Sequence, residues 1–153
     1  MIRSALIGLA AGARSMTPLA AVSDAAKTGT LPRDNGAPRW LGHPLVASAT
    51  KLLAAGELAG DKMKSAPDRI VPAGIAARLV SAGIAGAALA PRRHRYTGAA
   101  LSATAAVVAA YVTFNIRIRF LRRYGQTSTG VIEDALTVAA TQAVLLGARR
   151  GRR

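Results

Sequence analysis

The chain contains no cysteine, and of its 153 residues only 4% are aromatic and only seven are acidic. The first absence excludes disulfide frameworks, Cys-ligated zinc and cysteine nucleophiles. The second disfavours an ordinary soluble enzyme, whose core normally carries many large side chains; here 51% of residues are hydrophobic, yet much of that content is alanine. The shortage of acid leaves 21 Lys and Arg largely uncompensated, for a formal net charge of +14. Basic charge alone does not imply a nucleic-acid partner, and Tyr96, Tyr111, Phe114, Phe120 and Tyr124 do not interleave with it as a stacking platform. Walker, GxGxxG, HExxH and GxSxG motifs are also absent. The two histidines, His43 and His94, fall in separate loops, so no catalytic metal site or cofactor is expected. The D-x-x-D spacing of lipid-headgroup transferases is missing too, which points away from an enzyme.

What the chain does have is long stretches almost free of charge. Residues 97 to 116 carry none, and roughly 20 apolar helical residues cross a bilayer core. Residues 70 to 90 carry only Arg78, residues 130 to 148 only Glu133 and Asp134, and residues 4 to 23 only Arg14. Residues 44 to 60, with Lys51 and Glu57, form the least apolar candidate and suit a tilted or re-entrant helix. A signal-peptide reading of Arg3 and Ala5 to Ala13 competes for the N-terminus, but the stretch is expected to stay in the membrane. The expected fold is a single all-α domain over residues 1 to 153. It is a polytopic membrane helix bundle of four to five segments, the first broken or re-entrant.

The intervening loops are polar. Residues 27 to 43 hold turn-forming clusters and the sole Trp, and residues 61 to 69, 91 to 96 and 117 to 129 are rich in Lys and Arg, as is the C-terminus. These segments are expected to meet anionic headgroups of the lipid bilayer. Five full crossings would leave eight basic loop residues on the N-terminal side and ten opposite. A re-entrant first stretch changes the balance to eleven against seven.

Small residues recur at helical spacing: Gly8 and Gly12, Gly56 and Gly60, Ala82 and Gly86, and on one face Gly98, Ser102, Ala105, Ala109 and Thr113. In lipid such faces permit close backbone approach. They serve helix packing, within the chain or between copies in a homo-oligomer.

Charges inside the apolar stretches carry the functional signal, since each costs roughly 2.5 to 3.5 kcal/mol at mid-bilayer on insertion scales. Arg14 precedes Pro18, which breaks helical hydrogen bonding, so the chain from Gly12 to Pro18 reads as one half-helix ending and another starting. Thr17 is positioned to cap the second half, whose N-terminal amides would favour an anion. Arg14, Thr17, Glu57, Arg78 and Glu133 are therefore candidate substrate-binding residues, and Glu57, Asp61, Glu133 and Asp134 candidates for an ion or proton relay. Glu133, Thr137 and Thr141 make a polar stripe at four-residue steps that should face the bundle interior. Each Arg is expected near Glu57 or Glu133. The dipeptides Ala13-Arg14 and Ala77-Arg78, with Glu57 and Glu133, hint at an inverted repeat.

Several of these elements occur together in Gly12-Ala13-Arg14 with Pro18, Trp40-Leu41-Gly42, Gly56-Glu57-Leu58-Ala59-Gly60-Asp61-Lys62 followed by Asp68, and Ser128-Thr129-Gly130 leading to Glu133-Asp134. Over residues 5 to 146 the chain thereby resembles a bacterial family of small integral membrane proteins catalogued as domain of unknown function 4126. It departs from that pattern where Met63-Lys64-Ser65-Ala66 separate Asp61-Lys62 from Pro67. The resemblance implies a multi-spanning protein of the bacterial cytoplasmic membrane without specifying an activity. The charge pattern adds the expectation of a small transporter or channel for an anionic or proton-coupled solute. A non-transporting scaffold or assembly factor, and then a membrane enzyme acting on lipid headgroups, are the competing expectations.

Overall fold

A computed structural model describes residues 1–60, 72–124 and 126–150, with side chains at all of these except 117–130 and 150. The described residues form six α-helices and no strand: α1 (Ile2–Ala13), α2 (Met16–Lys27), α3 (Pro44–Gly60), α4 (Pro72–Leu89), α5 (Arg95–Tyr124) and α6 (Gln126–Arg150). Single 3-10 turns over Arg39–Gly42 and Arg92–His94 precede α3 and α5. Three segments are long and apolar enough to cross a membrane, Pro72–Leu89, Arg92–Ile116 and Val131–Arg149. They coincide with three charge-poor stretches of the sequence.

The distribution of side chains is that of a membrane protein. Leu45, Leu52, Leu53, Val108, Val112 and Leu136 are exposed, while Ser4, Ser23, Ser81, Ser102 and Thr141 are buried. In water, so much exposed large apolar surface would drive association. In lipid it is the solvated face, and two of the buried serines bond to a neighbouring element. Ser4 Oγ donates to the Gly86 carbonyl at 3.0 Å and Ser23 Oγ to that of Leu41 at 2.6 Å.

Small residues set the packing of α1, α4 and α5. A Cβ at Gly8 would meet the backbone of Ser102, one at Gly12 the backbone of Ala106 and Ala110, and one at Gly86 the Ser102 side chain and the Gly98 carbonyl. These contacts make α1 parallel to α5 and antiparallel to α4. On α5 the seam follows Gly98, Ser102, Ala106 and Ala109, with Ala105 only half-buried. The Gly56 and Gly60 pair departs from the expected packing role: among the described residues nothing lies within 4 Å of a Cβ at either.

The first apolar stretch is not one crossing helix. Arg14 adopts extended backbone, φ −139° and ψ 113°, which ends α1 at Ala13. Pro18 then falls in the first turn of α2, where its missing N–H costs no helical bond. Beyond this break the chain reverses. Ser23 is bonded to Leu41 while the Gly36 amide donates to the Ala90 carbonyl, and five residues between them reach at most ~18 Å. Continuing α2 along the line of α1 would put Ser23 about 34 Å beyond Ala90 at 1.5 Å per residue. The two half-helices thus form a hairpin, each arm packing mainly on other helices: α1 on α5 and α4, α2 on α3.

Helix α3 runs antiparallel to α2, with Lys51 paired to Asp24 at 2.6 Å near one end and Glu57 beside Ser15 at the other. Helix α6 is antiparallel to α1, since Arg3 donates to the Gly147 carbonyl at 3.0 Å and Arg14 pairs with Asp134. One end of the bundle therefore collects the N-terminus, the α2–α3 loop, the α4–α5 turn and the end of α6. The hairpin tip lies deeper, level with Arg78, roughly 18 Å along a helix α4 of about 27 Å.

Candidate functional site

A helix break exposes two sets of unsatisfied backbone groups: the last carbonyls of α1 and the first amides of α2. In this protein two charged side chains from other helices complete them. The Arg78 Nε of α4 donates to the Gly12 carbonyl at 3.1 Å, placing a cation at the negative end of α1, and its NH1 donates to the Gly74 carbonyl at 2.9 Å. The Glu57 carboxylate of α3 accepts the Ser15 amide at 2.8 Å and the Met16 amide at 2.9 Å, placing an anion at the positive end of α2. Ser15 Oγ adds a third bond to Glu57 at 2.8 Å.

Thr17 does not perform the capping anticipated from its position before Pro18. Ser15 occupies the cap position with helical backbone, no side chain of α2 closes the turn, and the carboxylate arriving from α3 takes the amides. The Thr17 hydroxyl is buried with no hydrogen-bond partner among the described residues.

Arg14 projects from the break and is 1% exposed, the largest side chain among the fully buried ones. It pairs with Asp134 of α6, itself 15% exposed. Glu133, Thr137 and Thr141 turn inward as their spacing predicts: Thr137 and Thr141 are buried and Glu133 is half-buried. Thr137 Oγ1 returns to the Glu133 carbonyl at 2.9 Å. Asp61, the remaining relay candidate, lies outside the described residues.

Beside this cluster lies a cavity of about 870 Å³ between α1, α5 and α6, open to the outer surface along exposed Leu9, Ile116 and Leu136. Leu9, Ala13, Ile116 and Leu136 make its wall largely apolar, and Glu133, Thr113 and Thr137 are its polar lining. The structure accordingly divides the sequence candidates. Glu57 and Arg78 complete helix ends, whereas Arg14, Asp134 and Glu133 meet where α1 breaks beside α6. The carboxylate that closes α2 lies 42 residues away in sequence, and no local pattern announces that contact.

Comparison with family models, with curated proteins and with solved structures found no match for this chain.

Proposed function

We propose that the chain is a small polytopic membrane protein that moves a proton, coupled to a small anionic solute, past the tip of the α1–α2 hairpin. The observation that carries this reading is the ion pair of buried Arg14 with Asp134, next in sequence to Glu133, which lines the cavity. Intramembrane charge is costly and tends to mark ion and substrate pathways. Arg14, Arg78, Glu57, Glu133 and Asp134 sum to a formal −1 when all are ionised, so one proton on a carboxylate would balance the set. On this reading Glu133 carries the proton, Asp134 releases Arg14, and Arg14 meets the solute's negative charge. Glu57 and Arg78 hold the hairpin tip in place.

The proposal includes four full crossings, α3 to α6, and a re-entrant α1–α2 hairpin. Helix α3, 17 residues long, turns Leu45, Leu52 and Leu53 outward as a lipid-facing helix would. With the hairpin re-entrant, the end holding the N-terminus carries eleven basic residues flanking the spans against seven at the other end, which favours the cytoplasm of a bacterial cell for it. That reading agrees with the resemblance to the small bacterial membrane family. An inverted repeat would relate Arg14 to Arg78, although the first sits at a helix break and the second within an unbroken helix.

Purified protein in proteoliposomes loaded with a pH-sensitive dye tests this. A solute gradient of small anions should drive lumenal pH change for at least one of them, and Glu133→Gln should abolish it while leaving the helical content intact. The second reading, a non-transporting scaffold, is favoured by one observation: Glu57 and Arg78 are spent on helix ends. A scaffold would show no flux with any anion and would tolerate Glu133→Gln in assembly.

A further inference from the structure

The loop joining α2 to α3 is ordered around a second cavity, distinct from the hairpin tip. The helix before it closes through Gly29, whose φ of 64° is a backbone conformation that side chains disfavour, and whose amide returns to Ala26. Asn35 then folds the loop on itself: its Nδ2 donates to the Pro32 carbonyl at 2.7 Å and its Oδ1 accepts the Ala37 amide at 3.1 Å. Between these turns lies a space of about 410 Å³, within the size range of small-molecule sites. Arg33 and Arg39 line it from opposite ends of the loop. Neither guanidinium has a hydrogen-bond or ion-pair partner among the described residues. The loop's one acidic residue, Asp34, is turned away to the Arg92 amide at 3.4 Å, so no carboxylate lines the cavity.

Its depth is marked by the residues around it. Trp40 follows Arg39 and is half-exposed, and Tyr96 at the neighbouring α4–α5 turn is exposed with the Arg95 guanidinium 4.7 Å above its ring. Such amphipathic rings settle at the headgroup level of a bilayer. Leu45, at the start of α3, is exposed.

We propose that this cavity is a binding site for the phosphate of an anionic phospholipid, held by Arg33 and Arg39. The guanidinium forks of these two exposed arginines, which line one cavity, suit the oxygens of a phosphodiester, and a lipid bound there supplies its own apolar tail to the surface beside Leu45. The site is independent of the transport reading, because it shares no residue with the hairpin tip.

Native mass spectrometry of the detergent-solubilised protein, titrated with phosphatidylglycerol or with phosphatidylcholine, tests the assignment. The expected result is one phosphatidylglycerol retained per chain in preference to phosphatidylcholine, with Arg33→Gln/Arg39→Gln weakening it by about tenfold or more. The matched variant Arg92→Gln/Arg93→Gln removes the same charge from the same end of the bundle and should keep the lipid bound. Equal loss in both variants would mean diffuse attraction and would overturn the site. Displacement of the lipid by millimolar inorganic phosphate or glycerol phosphate would assign the cavity to a soluble anion and overturn the lipid. If the Gln pair proves unstable, Arg33→Lys/Arg39→Lys substitutes: it keeps the charge but loses the planar fork, and undiminished retention there would equally count against the site.

Discussion

The most consequential residue is Arg14, because a buried guanidinium deprived of its partner, or a buried carboxylate left by its removal, has no solvent to fall back on. Arg14→Ala should destabilise the protein by about 3 to 5 kcal/mol, since Asp134 would remain uncompensated. Arg14→Ala combined with Asp134→Ala should cost clearly less than the sum of the two single changes. Equilibrium unfolding in mixed micelles measures both, and additive single costs would show the pair to be unimportant. Glu57 makes a different case: it serves the amides of Ser15 and Met16. Glu57→Gln keeps an acceptor but loses the charge at the end of α2, a loss of up to ~2 kcal/mol in partly buried geometry. Glu57→Ala should cost more, because the amides are then orphaned in a region with little water.

At the scale of the helix, glycines of similar sequence spacing have opposite duties. Gly86→Ala forces a methyl group against the Ser102 side chain and the Gly98 carbonyl, 2.6 Å from a Cβ, and both helices are held by further contacts with α1. A loss of about 1 to 3 kcal/mol is expected. Gly56→Ala meets open space and should be neutral or stabilising by up to ~1 kcal/mol through helix propensity. The same unfolding assay separates them, and a loss at Gly56 as large as at Gly86 would mean that α3 packs on a further surface. The α1–α2 hairpin is the element on which the arrangement turns. Each arm of 12 residues is only about 18 Å long, so neither arm crosses a bilayer core of ~30 Å by itself. Its ends are held by charges on α3 and α4, which is why its position depends on the whole bundle.

For the molecule as a whole, the absence of cysteine makes sidedness directly measurable. Asn35→Cys and Arg93→Cys should react with a membrane-impermeant maleimide from one face of sealed vesicles, and Gly60→Cys from the other. Labelling of all three from one face would remove α3 from the set of crossing helices. On the proposed topology the eleven basic residues flanking the spans on the Asn35 side, against seven opposite, put that side in the cytoplasm, and inside-out vesicles test that orientation independently.

The apolar spans within α4, α5 and α6 were legible in the sequence because each is long enough to cross a membrane, a property local to the chain; the expected loop over 117 to 129 is instead largely helical, α5 running to Tyr124 and α6 starting at Gln126. The break near Arg14 was equally local: Pro18 cannot continue a helix from the turn before it. The inward stripe of Glu133, Thr137 and Thr141 followed from spacing alone. Tertiary structure decided the rest, because it concerns residues far apart along the chain. Whether the broken segment crosses or returns depends on where Leu41 and Gly36 hold the loop after α2, and the contacts at Ser23 and Ala90 make it return. The sequence offered Glu57 and Glu133 alike as partners for the arginines. Packing gave Asp134 to Arg14 and spent Glu57 on the start of α2, since an unsatisfied helix end inside the bundle competes for a carboxylate as a guanidinium does.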